Sequence, residues 1–278
     1  MNDLVIDAHQ HYWELGRFDY FWMTPDRQAL RRSFLPHDLA PLLRKSGVDR
    51  TVVVQAHASH AESLWLLELA AAHEFISGVV GWTDLTSASL GKMLDEYQKH
   101  PKFKGIRHPL EAEPDDAWIL QPRVLEGLEE LQRRGIPFDL VIFPRHLKHL
   151  PAIRERCPDL KLAIDHLAKP PIAARQFDAW AREMERVAQI PGVWCKLSGM
   201  VTEANHRNWT PEDLRRYVNH VVSQFGCDRV MFGSDWPVCV LAASYEQVLG
   251  ALRIVLGPLS AADSAKVWGR NASEFYSL

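Results

Sequence analysis

Eight short apolar segments recur along the chain, and amphipathic stretches separate them. Each segment is roughly five to seven residues long and hydrophobic nearly throughout, which is typical of a parallel strand buried on both faces. The segments begin at Leu4, Thr51, Ile76, Lys104, Pro137, Lys161, Val193 and Arg229. The pattern therefore predicts eight strands in one parallel sheet.

The stretches between these segments carry the start and stop signals of helices. A group of leucines on one helical face precedes Gly47, a typical helix-ending glycine. The stretch from Thr210 opens with a capping threonine, a proline and two acidic residues. Strands alternating with helices over 278 residues predict a single-domain α/β protein, a (β/α)8 TIM barrel covering residues 1–278. An open doubly wound sheet would require a glycine-rich turn after the first strand, and this sequence has none there.

Composition and charge narrow the classes of partner. The chain has 32 Lys and Arg against 35 Asp and Glu, a formal net charge of −3, which disfavours a nucleic-acid or anionic-membrane partner. Its four cysteines are widely spaced and form no CxxC pair, as expected of free thiols in a reducing compartment. No apolar run is long enough to span a membrane, and the N-terminal residues show no secretory signal. We therefore expect a cytoplasmic protein, and a homodimer is compatible with the sequence.

Titratable side chains follow four of the eight predicted strands. In a barrel of this kind the carboxyl ends of all strands meet at one rim, where catalytic residues collect. These side chains are Asp7, His9, His11, Arg107, His108, Asp165, His166 and Asp235. We therefore expect residues from distant parts of the chain to form one site at this rim.

The histidines after the first strand are candidate metal ligands. His9 and His11 are two residues apart, so both side chains point to the same side of an extended strand. Together with Asp235, and with His166 as a further ligand, they could hold one divalent metal, for which Zn²⁺ is the expected ion. The alternative is a pair of hydrogen-bonded core histidines, and metal-free catalysis stays open. Asp7 is expected to orient a neighbouring histidine or loop.

The remaining strand-end residues suggest acid–base and anion-binding roles. Asp235 follows an apolar run, so we expect a desolvated general base that takes a proton from water, with a loop or helix-capping aspartate as the alternative. His166 is the second predicted catalytic residue. Arg107 and His108 could bind a carboxylate or polarise a carbonyl, although a structural ion pair is an equal alternative.

A long aromatic-rich connection follows the first strand, over about residues 12–36. Loops of this length in a compact domain are commonly lids or binding loops. Trp13 and Trp236 are the tryptophans that we predict to line the pocket, since aromatic faces suit a hydroxylated ring. Gln55 and Lys196 are candidate polar contacts, for which structural roles are the more favoured interpretation.

Several motifs together resemble the amidohydrolase superfamily. DAHQHYW, IDHLAKP and GSDWP are similar to its amidohydrolase-2 branch, which contains sugar lactonases of the L-fucono- and L-rhamnono-lactone type, and the resemblance covers nearly the whole chain. It implies that His9 and His11 are metal-site residues, His166 the strand-six histidine and Asp235 the general base. Members with two metals carry a Lys or Glu on strand four and a His on strand five. Here strand four ends in KGIRH and strand five is FDLVIF, so the resemblance implies one metal or none.

The resemblance and the strand-end residues together predict a hydrolase. It would open a sugar-derived aldonolactone to the aldonic acid by water attack on the lactone carbonyl, with the sugar lactone as its small-molecule partner. Two alternatives stay open. One is a decarboxylase of the same fold that acts on an unsaturated or aromatic acid, and the other is a non-catalytic barrel that binds sugar acids.

Overall fold

A computed structural model of the chain describes residues 3–278. All eight predicted strands form, and each pairs in parallel with the next strand along the chain. The strands are β1 (Ile6–Gln10), β2 (Arg50–Val54), β3 (Ile76–Gly81), β4 (Phe103–Pro109), β5 (Phe138–Val141), β6 (Leu162–Ile164), β7 (Val193–Leu197) and β8 (Val230–Phe232).

The residues that follow β8 close the sheet against β1. The Asp235 N–H donates to the His9 carbonyl at 2.8 Å, and the His11 N–H donates to the Trp236 carbonyl at 2.7 Å. Gln10 also forms a parallel bridge with Trp236. The sheet is therefore a barrel, and the predicted single-domain (β/α)8 fold is confirmed.

Helices cover the outside of the barrel and close one of its ends. They are α1 (Pro36–Ser46), α2 (His60–Ala72), α3 (Leu90–Tyr97), α4 (Pro122–Arg133), α5 (Leu150–Arg156), α6 (Asp178–Ala188), α7 (Met200–Glu203), α8 (Pro211–Phe225), α9 (Tyr245–Leu256), α10 (Ala261–Ala265) and α11 (Asn271–Tyr276). Gly47 ends α1 in the left-handed conformation, with a φ of 66°, as its position predicts. Among residues 3–278, no helix has the length and apolar character needed to cross a membrane.

The interior of the barrel is apolar at one end and charged at the other. Phe275 and Tyr276 of α11 pack into a buried cluster with apolar side chains of the strands, among them Ile6 and Val52. Farther along the strands the buried side chains include Lys196 and Asp139, both fully buried. The apolar end stabilises the fold, while the charged end lies at the carboxyl ends of the strands, where the candidate site forms.

Candidate active site

The two strand-one histidines meet Asp235 at the carboxyl end of the barrel. The Nε2 atoms of His9 and His11 lie 3.2 Å apart. Asp235 Oδ1 lies 3.3 Å from His11 Nε2 and 3.8 Å from His9 Nε2. All three side chains are buried. The convergence expected from the ends of strands one and eight therefore occurs.

His166 joins this group from the turn that follows β6. Its Nε2 lies 3.8 Å from Asp235 Oδ1, and its Nδ1 lies 2.8 Å from Ser198 Oγ. His166 and Asp235 both have a φ of 56°, in the left-handed region that side chains other than glycine rarely adopt. Such backbone strain is concentrated at functional sites, where the surrounding structure enforces it. The local conformation thus supports a functional role for both residues.

A group of buried charged side chains lies next to His9 inside the barrel. Lys196 Nζ lies 3.0 Å from His9 Nδ1, 2.9 Å from Asp165 Oδ1 and 2.5 Å from Asp139 Oδ2. Asp139 also accepts a 2.7 Å hydrogen bond from the Tyr276 hydroxyl. Lys196 and Asp165, which lies 3.3 Å away, thus both contact His9 Nδ1 and position the ring. The sequence favoured a structural role for Lys196, and its buried ion pairs agree with that role. The sequence did not single out Asp139, because a single charge inside an apolar strand does not indicate its partner.

The environment sets the protonation states of these groups. Burial alone would raise the pKa of Asp235, but the adjacent His166, His11 and His9 rings hold it below the ordinary range. Burial lowers the pKa of His9 and of His166. Asp235 is therefore an ionised, acceptor-only carboxylate at neutral pH, and His9 and His166 are neutral imidazoles.

Arg107 reaches the same group from β4. It donates to the Gln55 carbonyl and, at 3.3 Å, to Asp165 Oδ2. Its Nη1 lies 3.4 Å from His9 Nε2, and its buried Nε has no partner among residues 3–278. The guanidinium is thus held in place beside His9.

His108 does not reach the site, which corrects the prediction made for it. Its ring stacks on Trp118 with centroids 4.0 Å apart, and its Nε2 lies 2.7 Å from Glu113 Oε1. Adjacent residues of a strand point to opposite faces, so Arg107 and His108 cannot both face the barrel interior. Asp7 is likewise outside the group: it accepts hydrogen bonds from the Ser234 N–H at 2.9 Å and the Tyr245 hydroxyl at 3.1 Å. This placement matches the orienting role expected of Asp7.

A cavity of about 350 Å³ opens above these residues. Its lining includes His11, Gln55, Arg107, His166 and Asp235. These residues come from the ends of five different strands or from the turns that follow them. A concave pocket with a few convergent polar groups is the usual form of a small-molecule site.

The aromatic residues that line the cavity are not the two that were predicted. Trp13 and Trp236 are buried in the core, where both pack edge-on against Phe34 with centroids 5.2 and 5.4 Å away. Their neighbours Phe21 and Trp22 line the cavity instead. Trp22 Nε1 donates to the Ala56 carbonyl at 2.7 Å, and Phe21 is 67% exposed at the mouth. The loop is indeed aromatic at the site, but composition alone could not select which rings face it.

Comparison with known proteins agrees with this geometry. A family model described as Amidohydrolase matches residues 6–278. The chain belongs to the amidohydrolase family. It is 40% identical to an L-fucono-1,5-lactonase of Burkholderia ambifaria, over 98% of this chain and 95% of that protein. It is 37% identical to an L-fucono-1,5-lactonase of Burkholderia multivorans, over 100% and 97% of the two chains.

A solved structure provides a further comparison for this amidohydrolase. The crystal structure of an amidohydrolase from Burkholderia multivorans with bound zinc superposes with a TM-score of 0.93 and 37% identity, covering 99% of both chains. Its fold is therefore the same over essentially the whole length.

The donor set of this amidohydrolase fits a divalent metal. In a tetrahedral zinc site with bonds of about 2.0–2.1 Å, neighbouring ligand atoms lie roughly 3.3–3.4 Å apart. The three donors His9 Nε2, His11 Nε2 and Asp235 Oδ1 lie 3.2–3.8 Å apart, as just described. His11 Nδ1 donates to the Val54 carbonyl at 2.8 Å, which leaves its Nε2 lone pair facing the other two donors. Two neutral imidazoles and one carboxylate are suitable ligands for Zn²⁺.

Proposed function

We propose that this amidohydrolase is a lactonase that opens a sugar-derived aldonolactone, of the L-fucono or L-rhamnono type, to the open-chain aldonic acid. The observation that carries the proposal is the ionised, buried Asp235 at the floor of a 350 Å³ cavity, with His166 and Arg107 beside it. The identity of about 40% to an L-fucono-1,5-lactonase supports the substrate class.

Asp235 acts as the general base in this proposal. Because its carboxylate stays ionised and faces the cavity, it can accept a proton from a water molecule that attacks the lactone carbonyl carbon. The surrounding histidines hold it ionised even though it is buried. Proton transfer to a base positioned in this way increases the rate by about 10²- to 10⁴-fold.

Arg107 stabilises the oxyanion that forms when water attacks. Its guanidinium lines the cavity and is already held by Asp165 and the Gln55 carbonyl. Donors that are already oriented before the reaction stabilise developing charge at little reorganisation cost. A divalent ion held by His9, His11 and Asp235, for which we propose Zn²⁺, would supply Lewis-acid polarisation of the carbonyl.

The ring oxygen must leave with a proton when the tetrahedral intermediate collapses. Asp235, protonated in the first step, can return that proton, and neutral His166 lies 3.8 Å from it to relay the transfer. The C–O bond of the ring breaks and a hydroxyl forms on the former ring oxygen. The balanced reaction is lactone plus water to hydroxy acid.

A lactone panel with a pH indicator tests the proposal. L-Fucono-1,5-lactone, L-rhamnonolactone and unsubstituted δ-valerolactone are supplied in turn, and acid release is followed. We expect acid release from at least one sugar lactone. Carbon dioxide release from an unsaturated or aromatic acid, without acid production from any lactone, would instead favour the decarboxylase alternative.

The Asp235→Asn variant tests the assignment of the base. We expect kcat to fall about 10³-fold while the thermal midpoint stays close to that of the wild type. Asp178→Asn, on an exposed position of α6, serves as the matched control and should keep full activity. A folded Asp235→Asn enzyme with near-normal turnover would remove Asp235 from the role of base.

A further inference from the structure

One wall of the cavity is polar and is formed by side chains that the mechanism above does not use. It is formed by Thr202 and Glu203 of α7, by His206, and by Lys169 and Glu111 from the segments after β6 and β4. Apolar side chains, among them Trp22 and Leu241, also line the cavity. A ring that enters the cavity therefore meets several hydrogen-bonding groups along this wall.

The polar wall is held rigidly against the catalytic group. Gly199, with a φ of 64°, lets α7 begin directly against His166, since a Cβ there would lie 2.5 Å from His166 Nδ1. At the other end of α7 the Glu203 carbonyl accepts a 2.9 Å hydrogen bond from the Ala173 N–H. Thr202 Oγ1 donates to the Gly199 carbonyl at 2.7 Å. The backbone of Glu203 is thus fixed relative to the reacting centre.

The charges on this wall are unevenly paired. Lys169 is bound to Glu111, so these two side chains satisfy each other. The Glu203 carboxylate has no hydrogen-bond or ion-pair partner among residues 3–278, and burial raises its pKa. The acceptor positions of this carboxylate are therefore open to a donor group on a ligand in the cavity.

We propose that Glu203 is a specificity-determining residue that accepts hydrogen bonds from the ring hydroxyls of the substrate. A carboxylate accepts and cannot donate, so it selects hydroxyl-bearing lactones over lactones without hydroxyls. Loss of a hydrogen bond to a charged group is expected to lower kcat/KM by about 10- to 100-fold. This inference rests on the proposed lactonase function and names the part of the substrate that the polar wall recognises.

The test compares two substrates in each of four enzymes. Wild type, Glu203→Ala, Glu203→Gln and the exposed-site control Glu155→Ala are assayed with a polyhydroxylated sugar lactone and with δ-valerolactone. We expect Glu203→Ala to lose about 10- to 100-fold in kcat/KM on the sugar lactone, chiefly through KM, and to keep the wild-type value on δ-valerolactone. Glu203→Gln keeps one carbonyl acceptor and should lie between the two, and Glu155→Ala should match the wild type on both.

The outcomes separate this inference from the proposed function. An equal loss on both lactones would show a structural or chemical role for Glu203, and no loss on either would show no substrate contact; each result would overturn the inference. If the wild type hydrolyses no lactone, the proposed function fails, and the inference is then judged by calorimetric binding of the sugar lactone. If Glu203→Ala weakens this binding about 10-fold or more, the inference about Glu203 is supported. If the variant binds as tightly as the wild type, the inference is refuted.

Discussion

Replacing Lys196 by methionine tests the group of buried charged side chains next to His9. In the native protein the fully buried ammonium contacts Asp139 at 2.5 Å and Asp165 at 2.9 Å. Methionine fills a similar volume but leaves these carboxylates without their shared cation. Asp165 still has Arg107 at 3.3 Å, whereas Asp139 keeps only the Tyr276 hydroxyl.

The expected loss of stability follows from this pairing. Removing one partner of a buried ion pair costs about 3–5 kcal/mol because the remaining charge stays buried and unpaired. Most of the cost falls on Asp139, since burial already raises the pKa of that carboxyl even with Lys196 in place. A loss of this size is a large part of the roughly 5–15 kcal/mol that stabilises a typical domain.

Urea unfolding followed by tryptophan fluorescence measures this loss, and a second variant gives the reasoning its sharpest test. Lys196→Met with Asp139→Asn removes the stranded charge, so we expect it to recover at least half of the stability lost in the single variant. Lys148→Met, at an exposed position, should lie within about 0.5 kcal/mol of the wild type. A Lys196→Met protein within 1 kcal/mol of the wild type, or a double variant that is less stable than the single one, would refute the ion-pair argument.

Three further predictions concern Gly199, Glu62 and the metal ligands. Gly199→Ala should lower both the thermal midpoint and kcat, because its Cβ would lie 2.5 Å from His166 Nδ1. Gly47→Ala, at a position with a similar φ and no atom within 4 Å of the added Cβ, should lower the thermal midpoint alone. Equal activity in the two variants would contradict this account. Burial raises the pKa of Glu62 to about 8, so the folded protein holds this proton more tightly than the unfolded chain, and stability should fall as the pH rises from about 5 to 8. Glu62→Gln mimics the neutral form, so over that pH range its free energy of unfolding should rise by about 2–4 kcal/mol relative to that of the wild type. Urea unfolding at several pH values measures this difference, and a difference that does not vary with pH would rule out a raised pKa. Equilibrium dialysis against Zn²⁺ should give about one ion per wild-type chain and clearly less in His11→Ala, and equal zinc contents would exclude His11 as a ligand.

The fold was predictable because barrel strands are buried on both faces. Such strands appear in the sequence as short continuous apolar runs, and all eight runs became strands. The same reasoning predicted most of the site, since the carboxyl ends of parallel strands share one rim whatever their distance along the chain. His9, His11, His166 and Asp235 meet there, as their positions after the strands predict.

Orientation was predictable only in part. Strand alternation places Arg107 and His108 on opposite faces of β4. The sequence therefore already contained the information that contradicts a shared site for these two residues. No comparable rule distinguishes Trp13 from Trp22, because both rings belong to one irregular loop. Packing against Phe34 and the hydrogen bond to Ala56, respectively, place the first in the core and the second at the cavity.

The sequence by itself determined the strand order, the rim and the kinds of side chain that reach it, because periodicity and strand ends are local properties. The tertiary structure alone decided how buried charges are paired. Lys196 and Asp139 are 57 residues apart in sequence, and their 2.5 Å contact arises only when β5 and β7 lie on either side of β6 in the closed sheet. The isolation of Glu203 was decided in the same way, because Lys169 pairs with Glu111 instead. Charge pairing depends on distance and dielectric in three dimensions, and neither quantity is contained in a one-dimensional pattern.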